Sequence, residues 1–227
     1  MATARNQLAA GATDLDIDLL PSQLDQLLAY LDLIQKWNKV YNLTAVRDPA
    51  DMLTHHLLDS LAVVAPLRRQ LAAMSYRQAG TDEPQSAEPV FRLLDVGSGA
   101  GLPGIVIAIC CPEVSVDCVD TVAKKAAFIN QAAVTLKLPN LRSIHARVEN
   151  LTEQYDVISS RAFASLPDFT TWSAGALKEG GVWLAMKGQH PLPEIDALKT
   201  DVAVFHVEQL TVPGLDAERC IVWMRCA

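Results

Sequence analysis

The sequence predicts an α/β fold: a mainly parallel seven-stranded sheet wound on both faces by helices, closed by an antiparallel terminal hairpin and preceded by a helical cap. Three observations carry this. From residue 91 onward, strand-length apolar runs alternate with helix-length segments, which is the pattern of a parallel sheet built through crossover helices. The stretch Leu93-Leu94-Asp95-Val96-Gly97-Ser98-Gly99-Ala100-Gly101-Leu102-Pro103-Gly104 reads as a buried strand running into a glycine loop and a helix start. The last two strands have no convincing helix between them, so they pair as a hairpin at the sheet's edge.

Taken in order, residues 22–37 place Leu24, Leu27, Leu28, Leu31, Ile34 and Trp37 at helical spacing, with Ser22 and Asp25 arranged like a capping box after Pro21. A second helical segment, 49–71, carries Met52, His56, Leu57, Leu61 and Val64 on one side. Residues 1–74 therefore read as a helical extension packed on the core. Residues 75–89 are polar and hold Gly and two Pro, the composition of a surface loop. Residues 90–227 form the sheet domain: strands at 91–96, 114–119, 141–146, 155–160, 181–186, 202–208 and 220–225, and helices at 103–110, 122–137, 167–178 and 192–199.

With 227 residues, half of them hydrophobic, the chain can bury one full core. Nineteen basic against 26 acidic residues give a net charge of −7, which excludes global attraction to nucleic acid or anionic membrane and demands a local basic face for any RNA partner. Asp14, Asp16 and Asp18 interrupt any signal-peptide core, and no run reaches membrane-spanning length, so a cytoplasmic protein is expected. The five cysteines include no CxxC pair, and reduced core thiols are expected rather than zinc or disulfides.

Gly99, Gly101 and Gly104 satisfy GxGxxG, so spacing alone does not choose a dinucleotide over S-adenosylmethionine. Asp95, at the strand end beside the loop, would repel a pyrophosphate and suit ammonium and sulfonium charges, which favours S-adenosylmethionine. Asp120 ends the next strand, where a carboxylate accepts hydrogen bonds from a ribose diol of either cofactor. A lone GxG would be explained equally well by an ordinary strand-to-helix turn. The strand, three glycines and Asp120 together argue for a ligand.

These residues, with Trp37-Asn38, Asn42-Leu43-Thr44, His56-Leu57-Leu58-Asp59-Ser60, Ser160-Arg161-Ala162-Phe163-Ala164 and Lys187-Gly188, give the chain a resemblance, over nearly its whole length, to a known family. It resembles the bacterial small-subunit ribosomal RNA guanine-N7 methyltransferases once called glucose-inhibited division protein B. The glycine loop is shared by many methyltransferases, whereas the N-terminal motifs and the Arg161 motif in this order are more specific. The resemblance implies a Rossmann-like class I S-adenosylmethionine-dependent methyltransferase fold and methyl transfer to a guanine in the decoding-region loop of 16S ribosomal RNA, guanosine 527. It maps cofactor positions onto Gly97, Leu102, Val148, Glu149 and Arg161, all of which follow predicted strands, where open α/β sheets bind ligands. For Glu149 a plain solvated loop carboxylate is the competing reading. The chain departs from the family pattern in the longer loop at 75–89 and in Cys110-Cys111.

Guanine N7 carries a lone pair in the neutral base, so no general base is required, in keeping with the lack of a Cys-His or Ser-His arrangement or an NPPY-like tetrapeptide. Catalysis then rests on alignment in a site shielded from water. Arg161 is the expected positioning residue for cofactor and target, against a competing ion pair with a carboxylate such as Glu149. Phe163 reads more readily as aromatic packing than as a platform for a flipped base. Lys124, Lys125, Lys187 and Arg161 are the candidates for RNA contact, although a solvated helix face also accounts for Lys124 and Lys125. His56 and Asp59, three apart on a helix, can bond each other or close over the cleft, and His55 reads as a surface residue. No third ligand stands at metal spacing. The expected partner is 16S ribosomal RNA, the small subunit or an assembly intermediate, met by a monomer. The competing functions are an NAD(P)-dependent oxidoreductase, which Asp95 and the hairpin oppose, and a noncatalytic RNA-binding or assembly protein.

Overall fold

The computed structural model describes residues 2–78 and 91–227. The N-terminal part is helical: α1 (Ala2–Asp14), α2 (Pro21–Tyr41), α3 (Pro49–Met52), a π-helical stretch (Leu53–Leu58), α4 (Asp59–Leu61) and α5 (Val64–Gln78). There follow β1 (Arg92–Val96), α6 (Gly104–Cys110), β2 (Ser115–Asp120), α7 (Ala123–Thr135), β3 (Leu141–His145), β4 (Tyr155–Arg161), α8 (Leu166–Ser173), β5 (Leu177–Lys187), α9 (Leu192–Asp196), β6 (Val202–Leu210) and β7 (Arg219–Cys226). The strands form one seven-stranded sheet in the order β3-β2-β1-β4-β5-β7-β6, parallel throughout except that β7 runs against both β5 and β6.

Sheet alternation sends neighbouring side chains to opposite faces, and both faces are covered. Leu93, Val116, Val157 and Leu184 join a core shared with α6 and the N-terminal helices, while Leu94, Val119, Ile158 and Ala185 face the side of α8. Leu8, Leu27, Tyr30, Ile34 and Leu57 of the extension belong to the same buried cluster as the sheet residues, so the cap and sheet share one core.

The differences from the sequence expectations have local causes. Helix α1 was not foreseen, because its alanine-rich sequence has almost no apolar stripe; Leu8, Gly11 and Ala12 are buried, and a Cβ on Gly11 would come within 2.6 Å of Leu58 Cδ2. The expected Ser22/Asp25 capping box does not form. Instead Gln23 Oε1 accepts the Leu20 N–H at 2.9 Å, and Asp25 pairs with Arg5. The helix expected over 49–71 is broken by the π stretch and a turn after Leu61, and residues 75–78 continue α5 rather than opening a loop; residues 79–89 of the expected loop lie outside the described residues. Helix α8 is shorter than expected because β5 starts at Leu177. Tyr155 pairs with Leu177 and Val157 already with Val182, so residues 178–181 bulge from the sheet around Gly180, whose φ of +74° suits glycine.

Candidate active site

The site lies at the carboxyl ends of the parallel strands and starts with the loop after β1. Gly97 sits at φ +64°, and a Cβ there would be 2.2 Å from Phe163 Cδ2, so both conformation and proximity require glycine. The Gly97 and Ser98 N–H groups donate to Val119 O at 2.9 and 3.3 Å, which ties the loop to β2. From the cap, the Tyr30 hydroxyl donates to Ala100 O at 2.6 Å. Beneath the loop, the fully buried Asp95 accepts from Gly104 N–H and Ser159 Oγ, both at 3.0 Å.

Two cavities meet at Ala162, a non-glycine residue at φ +52°. The first, of about 360 Å³, is walled by Val96, Gly97, Asp120, Lys125, Val148, Glu149, Phe163 and Trp172, with neighbouring residues of the same loops. Asp120 accepts from Gly99 N–H at 3.0 Å and Val122 N–H at 2.8 Å, with Lys125 Nζ 3.6 Å away. Each carboxylate oxygen keeps a lone pair for a diol. Glu149 is exposed and has no hydrogen bond among the described residues, and Val148 with the Phe163 and Trp172 rings gives apolar walls. These residues fit S-adenosylmethionine: apolar walls for adenine, carboxylates for ribose hydroxyls, and a bare backbone at Gly97.

The second cavity, of about 490 Å³, lies between the glycine loop, the cap and the ends of β4, β5 and β7. Gly99, Leu102, Arg161 and Lys187 line it together with Thr44, His55, His56, Asp59 and Arg219. Arg161 Nη1 donates to Asp59 Oδ2 at 2.8 Å and to His55 O at 2.9 Å, and Arg219 Nε donates to Asp59 Oδ1 at 2.8 Å. His56 Nε2 lies 2.9 Å from Thr44 Oγ1, while its Nδ1 is buried without a partner among the described residues. Burial, with the Arg161 charge, lowers the His56 pKa to about 4, so the ring is neutral. Burial raises the Asp95 carboxyl to about 7 against the bonds from Gly104 and Ser159.

Several sequence expectations change. Asp95 and Gly101 line neither cavity: Asp95 braces the start of α6, and Gly101 makes the backbone turn against Ile105, where a Cβ would stand 2.4 Å from Cδ1. Arg161 pairs with Asp59 rather than Glu149, and His56 and Asp59 bond other partners rather than each other. His55 is half-buried and lends its carbonyl to Arg161. Lys124 is exposed and outside both cavities, Lys125 stands in the first beside Asp120, and Lys187 is tied to Glu194 Oε2 at 2.7 Å and Ala164 O at 3.0 Å. Phe163 is half-buried over Gly97 and meets Phe169 and Trp172 edge-on. Sequence reasoning missed Arg219 and Tyr30. The predicted antiparallel hairpin was the available signal for Arg219, because a strand running against the others begins where they end.

A mainly parallel sheet with one reversed strand, a glycine loop after β1 and a cofactor-shaped cavity at its edge define a class I S-adenosylmethionine-dependent methyltransferase. The fold is similar to that of TrmN from Thermus thermophilus, with a TM-score of 0.54 at 16% identity over 77% of this chain and 53% of that one. Residues 23–222 match the GidB family model, described as rRNA small subunit methyltransferase G, and the chain belongs to this family. Among curated relatives named ribosomal RNA small subunit methyltransferase G, that of Acidovorax sp. (strain JS42) is 67% identical over 96% of this chain and 93% of its own length. That of Polaromonas sp. (strain JS666 / ATCC BAA-500) is 64% identical over 100% and 95%.

Proposed function

We propose that this chain methylates N7 of a guanine in 16S ribosomal RNA, the family's guanosine 527, with S-adenosylmethionine as donor. One observation carries the choice of nucleophile: Asp59, His56 and Lys187 on the second cavity each hold a structural partner rather than standing poised to take a proton. Both Asp59 oxygens serve arginines, His56 is buried and neutral beside Thr44, and Lys187 is paired with Glu194. A neutral ring nitrogen with its own lone pair needs no base.

S-adenosylmethionine, when bound, supplies the electrophilic methyl. The chain's work is to hold the reactants and exclude water. The loop backbone at Gly97, Asp120 and Glu149 hold the donor, Val148 and Phe163 supply apolar walls, and Arg161 at the junction orients donor and target. Phosphate contact falls to cations outside ion pairs. Lys39 and Arg47, exposed at the end of α2 and in the loop leading to α3, next in sequence to the Leu43, Thr44 and Val46 wall of the second cavity, are such cations, with no ion pair among the described residues. The enzyme works as a cytoplasmic monomer on the RNA or the assembling subunit; among the described residues no helix is long and apolar enough to cross a membrane.

Mapping N7-methylguanine in 16S RNA from cells with and without the gene tests the reaction, and the same modification in both would overturn it. His55, a histidine that borders the second cavity, tests the absence of a base. His55→Ala should keep the single-turnover rate within about fivefold of wild type, since general-base loss would cost at least ~10²-fold.

A further inference from the structure

We propose that Arg219 reads the O6 edge of the target guanine, and that Asp59 positions Arg219 and Arg161 as a pair of guanidinium groups around that base. This assignment rests on the guanine-N7 reaction proposed above.

Charge balance supplies the first argument. The Asp59 side chain is only 3% exposed and needs one cation to offset its burial, yet it holds two. One carboxylate between two guanidinium groups leaves one positive charge in surplus on the cavity wall. Lys187 does not share that surplus, because Glu194 Oε2 stands 2.7 Å from its Nζ.

Unused donors supply the second. Arg161 spends Nη1 on Asp59 and His55 O, and Arg219 spends Nε on Asp59 and Nη1 on Glu218 O at 2.8 Å. Neither Nη2 has a partner among the described residues, and both side chains keep about a fifth of their surface exposed, at 20% and 22%, on the same cavity. An arginine present only to satisfy Asp59 would not need to border this space.

Topology places the group. Lys187 ends β5 and pairs with Cys220 across the antiparallel ladder, so Arg219 enters at the edge where the parallel strands deliver their ligand-binding residues.

The base then selects the contact. A guanine approached at N7 presents O6 on the same edge, an acceptor that suits a guanidinium N–H and leaves N7 free for the methyl. Adenine presents an amino donor at that place, so donor would face donor. Arg219 is therefore a specificity residue for guanine over adenine, and Asp59 acts through it.

A cycle between enzyme and substrate tests this, using small-subunit particles reconstituted with guanine or 2-aminopurine at the target position. 2-Aminopurine keeps N7 and the 2-amino group but lacks O6. Removing O6 should cost wild type ~10- to 100-fold in kcat/KM, and Arg219→Ala should cost a similar factor on guanine, with unchanged cofactor affinity. The two losses should not multiply: with Arg219→Ala, removing O6 should cost at least about tenfold less than it costs wild type, and the difference intrinsic to the two bases, present in both arms, cancels in the cycle. Losses that multiply would overturn the assignment, as would a variant whose whole defect is weaker cofactor binding. Should Arg219→Ala melt below the assay temperature, Arg219→Lys, which keeps a cation beside Asp59 and loses the fork, takes its place in the cycle: non-multiplying losses support the assignment and multiplying losses overturn it. Wild type forming no N7-methylguanine on the guanine particles overturns the proposed reaction and this assignment together; methylation with multiplying losses overturns the assignment alone.

Discussion

The first cavity draws its walls from loops that follow successive strands, Gly97 after β1, Asp120 at the end of β2, Val148 and Glu149 after β3, Phe163 after β4. The second gathers His55, Asp59, Arg161 and Arg219 across sequence separations of 102 and 160 residues. The chemistry divides in the same way. In the first, backbone N–H groups and carboxylates leave acceptors for a ligand's hydroxyls, whereas in the second, arginines over a buried carboxylate leave donors. A doubly wound sheet yields the first half as a by-product of its winding. The second half exists only once the cap has docked and the reversed strand has been inserted, so its walls come from elements more widely separated in the sequence than those of the first.

The sharpest break between the halves is expected at Gly97. Gly97→Val forces a branched side chain into a left-handed conformation and onto the Phe163 ring, and should abolish measurable S-adenosylmethionine binding by calorimetry in a variant that still melts cooperatively. Unchanged affinity would remove the first cavity from consideration as the cofactor site.

Next in size is Arg161, at the junction. Arg161→Ala should slow single-turnover methyl transfer by about 10²-fold at saturating RNA and weaken cofactor binding, with native-like melting because Asp59 keeps Arg219. Arg161→Lys should recover part of the rate, since it keeps the charge and loses the fork. A wild-type rate in Arg161→Ala would make Arg161 a structural ion-pair partner.

Two buried groups, Asp95 beneath the glycine loop and His56 on the second cavity, should also respond oppositely to pH. Asp95 rises from 3.8 to about 7 on folding, so the folded state binds this proton more tightly; its contribution to stability is full below about 4 and lost as pH rises through 7. His56 falls from 6.5 to about 4, so its contribution is present above 6.5 and lost as pH falls through 4. Relative to wild type, Asp95→Asn should remove a stability slope of up to about 1.4 kcal/mol per pH unit, and His56→Gln should remove a slope of the opposite sign. Denaturant titrations between pH 4 and 8 read both, and parallel curves for the two variants would contradict the comparison.

The smallest effect is expected at Lys124, exposed and in the lining of neither cavity. Lys124→Ala should leave cofactor affinity unchanged and lower the salt slope of RNA binding by no more than about 1. A larger loss of RNA binding would extend the target surface onto α7.

Legibility in the sequence followed the same divide. Strand alternation, the glycine loop and Asp120 were readable because each is a local pattern, and the terminal hairpin was readable from a missing helix. Asp95 was read correctly as a strand-end carboxylate but assigned to the ligand, because sequence shows that a carboxylate adjoins a loop and not which side of the loop it is on. Its two oxygens turn inward to Gly104 and Ser159. The Asp59 pairings had no local signal, since ion pairs across more than 100 residues leave no spacing to read. Helix α1 escaped for a different reason: alanine helices fold by backbone propensity and leave little periodicity behind.

The hydrogen bond from Tyr30 to Ala100 O bears on how this protein can be recombined. The cap is an owner of the loop's geometry, because a carbonyl within the cofactor loop takes its donor from α2 at 2.6 Å. Caps and sheet domains from relatives are therefore interchangeable only when a hydroxyl arrives at the Tyr30 position. A chimera that delivers phenylalanine there would carry an intact glycine loop with an unanswered carbonyl, so cap and loop are inherited as one unit.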